Sequence, residues 1–184
     1  MASAATGLVL SLAEMSGTRL EDVRSLGDVL QRYAEDMAGI CGGPPAQGGC
    51  YRRSLLYRTD RFEVLLLRWG RGAVSPVHDH ARQTCVFTVL RGDLTVDDYE
   101  LDAARRKEGV FAIHQTGSFS ITPGMLDYRK GELDIHQVRC RDEAVSLHVY
   151  AAPIALCGIY DPQSSRRMEQ SLHYDDIRAD LLAL

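Results

Sequence analysis

The spacing of apolar residues divides the chain into two regimes. Over the first forty residues Leu20, Val23, Leu26, Val29, Leu30, Tyr33 and Met37 recur every three or four positions with charged residues between them, the pattern of an amphipathic helix. This helical cap over residues 1–40 should stop at Gly39, because Gly42, Gly43, Pro44, Pro45, Gly48 and Gly49 form a loop through which no helix continues. From Tyr51 the period shortens. Runs rich in Val, Ile, Leu, Thr, Phe and Tyr cover residues 51–57, 62–69, 84–90, 94–101, 110–115, 118–121, 133–139 and 144–151, most of them separated by turn residues such as Gly92-Asp93 and Pro123-Gly124. A mainly β fold is expected, an antiparallel sandwich or small barrel over residues 50–160 preceded by helices. The tail, residues 162–184, is polar, and a short helix over residues 174–182 is expected to close it.

At 184 residues the chain has room for one domain with its own core. Hydrophobic residues make up 45% and charged residues 25%, a balance suited to a folded soluble protein rather than to disorder. The formal net charge of -4 removes the broad attraction to phosphate backbones and anionic lipids that a basic protein has, so neither nucleic acid nor membrane is expected as a partner. Apolar stretches such as residues 149–160 are well short of the ~20 residues needed to span a bilayer. Residues 7–13 are mildly apolar but follow no basic segment, so a signal peptide is not expected and a cytoplasmic, monomeric protein is. Five cysteines, Cys41, Cys50, Cys85, Cys140 and Cys157, make an odd set without a C-x-x-C pair, which argues for reduced thiols rather than a disulfide framework or a structural zinc cluster.

Candidate chemistry begins at His78-Asp79-His80. Two residues apart in a strand, both imidazoles would face one side and reach one metal ion, whereas on a surface loop the same pair would be chance. The surroundings carry the argument further: Gly72-x5-His78-x-His80-x4-Cys85-x6-Gly92, followed by Gly117-x5-Pro123 ahead of His136. This resembles the two signatures of the cupins, with Cys85 where many cupins have a glutamate ligand. Among cupins the chain resembles the cysteine dioxygenases, a family of thiol dioxygenases. The resemblance is carried by Tyr51-Arg52-Arg53-Ser54-Leu55, by Arg68-Trp69-Gly70-Arg71-Gly72, by Ser146-Leu147-His148-Val149-Tyr150 and by Cys157. It covers roughly residues 50–160; the N-terminal helices and the tail match only in general character.

The resemblance implies a cupin-type β-barrel in which His78, His80 and His136 hold Fe(II), although imidazole also suits Ni and other divalent ions. Three neutral ligands on one face of the ion would leave adjacent positions for a bidentate thiol and O2. The implied reaction converts L-cysteine to cysteine sulfinic acid. Arg53 would clamp the substrate carboxylate in a two-pronged contact that lysine cannot make, with Arg52 on the opposite face; taken alone, a strand arginine is usually a surface ion-pair residue. Tyr51 would line the pocket or pack. Ser146, His148 and Tyr150 share a strand face, so a relay is expected in which the serine and histidine orient the tyrosine hydroxyl. Cys85 either forms a thioether with Tyr150, as in one branch of the family, or is an inert buried thiol. Cys157 would line the pocket, Cys41, Cys50 and Cys140 would pack or lie on the surface, and His114 and His173 would be structural or surface residues, with a weaker ligand reading for His114. Three alternatives stand beside this reading. The first is another small thiol such as 3-mercaptopropionate, which the arginine at position 53 disfavours, since that branch typically has glutamine. The second is a different oxidised sulfur product such as a sulfonamide, and the third a non-catalytic small-molecule-binding cupin, for which Arg53, His148 and Tyr150 would be superfluous.

Overall fold

The amphipathic N-terminal pattern becomes three helices, α1 (Ala4–Ala13), α2 (Gly17–Leu20) and α3 (Val23–Ile40), in a computed structural model that describes residues 3–40, 42–43, 46–105, 107–131, 134–178 and 180. Each helix begins where a side chain can satisfy an amide that lacks an intrahelical partner. Ser3 Oγ accepts from Thr6 N at 3.2 Å, Ser16 Oγ from Arg19 N at 3.4 Å, and Asp22 Oδ2 from Ser25 N at 3.0 Å. Arg61 then closes the end of α1 from the sheet side, donating to the carbonyls of Ala13 and Met15.

The strands among the described residues are β1 (Tyr51–Arg58), β2 (Phe62–Trp69), β3 (Val77–His78), β4 (Thr84–Arg91), β5 (Leu94–Leu101), β6 (Ile113–Ile121), β7 (Leu126–Arg129), β8 (Ile135–Arg139), β9 (Ala144–Ala151), β10 (Leu156–Asp161), β11 (Arg166–Ser171) and β12 (Asp176–Ile177). They form two six-stranded sheets, ordered β12-β1-β2-β9-β4-β7 and β11-β10-β3-β8-β5-β6. Neighbours are antiparallel except β12, which runs parallel to β1. This is the cupin-type sandwich that the resemblance implies, with the helices on one outer face.

Period-two alternation decides what each sheet face does. From the first sheet, Val64, Leu66, Val86, Leu147 and Val149 turn outward and pack with Leu8, Leu12, Leu26 and Leu30 of the helices, all buried. Their neighbours Leu65, Leu67, Trp69, Phe87 and Tyr150 turn inward and meet Val96, Ile121 and Val138 of the second sheet. Each such aliphatic side chain contributes about 1.5–3 kcal/mol on burial, so the helices and the second sheet both hold this sheet firmly.

Several boundaries differ from the sequence expectation. The two segments expected over residues 110–115 and 118–121 are one strand, β6, carrying a bulge: Asp98 pairs with Gly117 and Tyr99 with Gln115, leaving Thr116 as the extra residue. The expected start at Leu133 lies outside the described residues, as does Cys41. The segment between Gly124 and Asp134, expected to be loop, contains β7. Its alternation is inverted, because the buried residues Asp127 and Arg129 are an ion pair while Tyr128 is exposed. In place of the helix over residues 174–182, the described tail is extended and pairs with β1, with Asp175 N donating to Arg53 O and Arg178 N to Leu55 O, both at 2.8 Å. An edge strand offers unpaired backbone groups, and the tail takes them. Finally, β10 and β11 form a hairpin that the polar, exposed sequence of β11 did not suggest. Among the described residues no helix is long and apolar enough to cross a membrane.

Candidate metal centre

His78 and His136 sit directly opposite each other where β3 meets β8, and their rings stand 4.5 Å apart between centroids. His80 completes the group at 5.2 Å from the His78 ring and 4.8 Å from that of His136. The reason for its placement differs from the expected one. β3 ends at His78, so His80 is not carried there by strand alternation. It is turned inward because Asp79 is fastened the other way: its buried carboxylate accepts from Ala81 N, Gly158 N and Tyr160 Oη, each at 2.9 Å, and from Arg167 Nη2 at 3.2 Å. Gly158 makes that possible, since a Cβ there would lie 2.3 Å from Asp79 Oδ2.

One ligand atom from each histidine lies within 4.8 Å of the other two. Burial lowers the pKa of all three rings, so each is neutral and able to donate a lone pair near neutral pH. His78 Nδ1 is engaged by the Pro76 carbonyl at 2.9 Å, which fixes the ring and leaves Nε2 available. His80 and His136 each keep a buried Nδ1 with no hydrogen-bond partner. Unpartnered buried nitrogens on neutral rings are costly in an empty apolar site and suit a cation. The group contains no anionic side chain: Cys85, at the cupin glutamate position, lies on β4 opposite Tyr150 and outside it. His114, exposed on β6, is also outside it.

The histidines open into a cavity also lined by Tyr51, Arg53, Ser75, His148, Tyr150 and Cys157. Its free volume for the centres of water-sized spheres is about 50 Å³, a few waters' worth, which suits a small molecule and not a peptide. Arg53 is the inward member of its pair, only 8% exposed, while Arg52 faces solvent and reaches Asp176 at 3.8 Å. Among the described residues no carboxylate pairs with the Arg53 guanidinium; its hydrogen bond goes to the carbonyl of His173 at 3.0 Å. Tyr51 stacks on Trp69 with 4.6 Å between ring centroids. Among the described residues no carboxylate lines the cavity.

On β9, Ser146 and His148 are joined by a 2.8 Å hydrogen bond between Oγ and Nε2. Trp69 Nε1 donates to the same hydroxyl at 2.9 Å, leaving the serine proton for His148. Burial takes the His148 pKa down to about 3, so the ring is neutral; it stacks on Phe87 at 4.5 Å. The expected continuation to Tyr150 takes another form. The His148 and Tyr150 rings lie nearly parallel at 6.4 Å, and Tyr150 instead stands directly opposite Cys85 in the β4–β9 register. Burial raises the pKa of Tyr150 and of Cys85, so both keep their protons. The Tyr150 ring stands edge-on to His80 at 5.5 Å, beside the metal-binding group.

The sequence model of the family described as Cysteine dioxygenase type I matches residues 46–163, close to two thirds of the chain. The chain belongs to that family. It is 23% identical to cysteine dioxygenase type 1 of Rattus norvegicus over 185 aligned residues, covering 87% of this chain and 90% of that protein. Against the Danio rerio protein of the same name it is 26% identical over 118 residues, covering 62% of this chain and 57% of that one. A solved cupin superfamily protein from Desulfitobacterium hafniense superposes with a TM-score of 0.46 at 12% identity, covering 64% of this chain and 88% of that one. For a member of the cysteine dioxygenase family, the neutral three-histidine group is the place for the metal of a non-haem oxygenase.

Four features of this site escaped the sequence reading. Asp79 was visible only as the spacer of the His-x-His pair, and its anchoring role depends on β10 and β11, which were not foreseen. Trp69 and Phe87 fix Ser146 and His148; in sequence Phe87 is an ordinary apolar strand residue, and Trp69 carries part of the family resemblance without a role assigned to it. Arg129 gathers Asp127, Asp98 and Asp134 at 2.6, 2.7 and 3.0 Å beside the metal group, and lies in the stretch expected to be loop. Tyr174 and Glu63 join across 2.5 Å, and Tyr174 falls in the expected helix.

Proposed function

We propose that this family member oxidises L-cysteine with dioxygen to cysteine sulfinic acid, with iron(II) held by His78, His80 and His136. The observation that carries the reading is Arg53, a buried guanidinium without a carboxylate partner in the same small cavity as the three neutral histidines. A buried cation is costly unless an anion meets it, and the carboxylate of a small amino acid offers two oxygens to its planar fork. A bound iron(II) would supply the redox chemistry that joins a thiol sulfur to dioxygen, with both oxygen atoms ending on sulfur.

The chain's own residues supply placement. Among the described residues no carboxylate lines the cavity to pair with a substrate ammonium, so the amine is favoured in its neutral form. Tyr150, kept protonated by burial, is a hydrogen-bond donor beside the ligands. Ser146 and Trp69 hold His148 neutral and still. The reading extends to a thioether between Cys85 and Tyr150, which stand directly opposite each other across β4 and β9.

Loading the metal-free protein with single metals in the absence of oxygen, then adding cysteine and O2 and weighing the product, tests the proposal. Iron alone should give cysteine carrying two added oxygens; another product mass, or equal activity with zinc, would overturn it. Replacing Arg53 by Ala should raise the KM for cysteine by an amount worth about 2–5 kcal/mol, the usual cost of losing one partner of a buried charged contact, and affect cysteamine, which lacks the carboxylate, far less. Equal effects on both thiols would remove Arg53 from the substrate site.

A further inference from the structure

Arg53 lies on β1 beside the extended tail, and residues 173–175 grip it at four points. Asp175 Oδ2 accepts from Arg53 N at 2.7 Å, Asp175 N donates to Arg53 O at 2.8 Å, and Arg53 Nη1 donates to the His173 carbonyl at 3.0 Å. The fourth contact is the Tyr174 ring, 5.7 Å from Arg53 Cζ. The chemistry of this grip is selective. The Asp175 carboxylate is occupied by a backbone amide, so the guanidinium meets only a neutral carbonyl and an aromatic face. Both orient a cation without neutralising it.

Tyr174 is itself anchored. Its hydroxyl donates to Glu63 Oε2 at 2.5 Å and accepts from Arg58 Nη1 at 3.0 Å. Glu63 is fully buried on β2, and its other oxygen accepts from Ile154 N at 3.3 Å. Ile154 and Leu172, at the two ends of this arrangement, both line the cavity. An unbroken line of contacts thus runs from the rigid centre of the first sheet through Glu63 and Tyr174 to Arg53.

We propose that Tyr174 is a specificity-determining positioning residue: fastened to Glu63 and Arg58, it holds residues 173–175 against Arg53 so that the guanidinium meets a substrate carboxylate free of any competing carboxylate of the protein. The inference rests on Arg53 binding the carboxylate, as proposed above. Without Tyr174, residues 173–175 lose their side-chain tie to Glu63 on β2, the guanidinium loses its aromatic support, and the Asp175 carboxylate is no longer confined to the backbone. Thiols that bear a carboxylate should suffer; thiols without one should not.

The test is binding to the iron(II)-loaded protein without oxygen, comparing dissociation constants for cysteine and cysteamine in wild type, Tyr174→Ala, Tyr174→Phe and Arg53→Ala. Tyr174→Ala should weaken cysteine about tenfold and cysteamine by less than about twofold, the scale expected when a binding group is misplaced rather than removed. Tyr174→Phe keeps the ring over Arg53 and loses both hydroxyl contacts, so a smaller loss, about threefold and again confined to cysteine, is expected. It also keeps the test open if the alanine variant folds poorly. Weakening of both thiols alike in the Tyr174 variants, or unchanged cysteine binding, would overturn the role of Tyr174. If Arg53→Ala is selective for cysteine and the Tyr174 variants are not, only Tyr174 falls; if Arg53→Ala is not selective either, the carboxylate clamp itself falls.

Discussion

Strand β9 is buried along its whole length, yet its two faces have different tasks. Val145, Leu147, Val149 and Ala151 face the helices in an apolar layer. Ser146, His148 and Tyr150, one position out of phase, turn to the inside of the sandwich, where His148 and Tyr150 line the cavity and Ser146 stands behind His148. On the helix side, shape and volume are all that packing asks, and several apolar side chains would serve. On the cavity side each polar atom has to find a partner. Three that do not, on His80, His136 and His148, lie in the cavity wall. Buried unpaired nitrogens of this kind are avoided where stability is the sole concern. Their concentration on one face marks where stability gives way to chemistry.

The comparison breaks most visibly at the metal group. His136→Ala leaves two imidazoles, a poor chelate, so most bound metal and roughly a hundredfold or more of activity should be lost, read by metal analysis and turnover. The metal-free form should lose less stability than a core leucine-to-alanine change costs, because the replaced ring borders an existing cavity and carries an unsatisfied nitrogen. Full metal occupancy in that variant would remove His136 from the ligand set. The opposite behaviour is expected across the sheet. Leu147→Ala should cost about 2–5 kcal/mol of unfolding free energy in denaturant titration through the cavity it leaves among Leu26, Leu30 and Val64, while metal content and cysteine KM stay at wild-type values. A change in KM without loss of stability would mean that the two faces are not separate.

The same division explains what could be read from the chain. The helix-facing side was legible because period-two and period-four apolar patterns report burial directly: α3 and strands β2, β4 and β9 fall close to where the pattern puts them. The three histidines were legible because their spacing is itself the signal. Elements whose buried side is polar were not. β7 buries Asp127 and Arg129 and exposes Tyr128, and so reads as loop; Asp79 reads as a spacer; residues 174–177 read as the start of a short helix in a polar tail, although their backbone extends a sheet and Tyr174 and Asp175 brace Arg53. In each case the stabilising contacts are hydrogen bonds and ion pairs with partners distant in sequence, which no local periodicity encodes.

The smallest expected effects lie where the two faces meet in one residue pair. Tyr150→Phe removes a hydroxyl outside the ligand set and should lower kcat about 10–100-fold with metal retained. Cys85→Ser should be milder, about threefold or less, since the cysteine acts only through the tyrosine. The structure gives a reason to look for more than packing at Cys85: it lies directly opposite Tyr150 in the β4–β9 register and is fully buried. Burial keeps the thiol protonated and therefore inert in ordinary thiolate chemistry. Joining the sulfur to the tyrosine ring breaks the S–H bond and one ring C–H bond, and the two protons and two electrons released reduce one dioxygen to hydrogen peroxide. After repeated cycles with iron, cysteine and O2, the wild-type protein should weigh two hydrogens less and show a faster band on denaturing gels, and neither change should appear in Cys85→Ser or Tyr150→Phe. An unchanged mass after many turnovers would leave Cys85 as a core residue of the sandwich interior, packed opposite Tyr150.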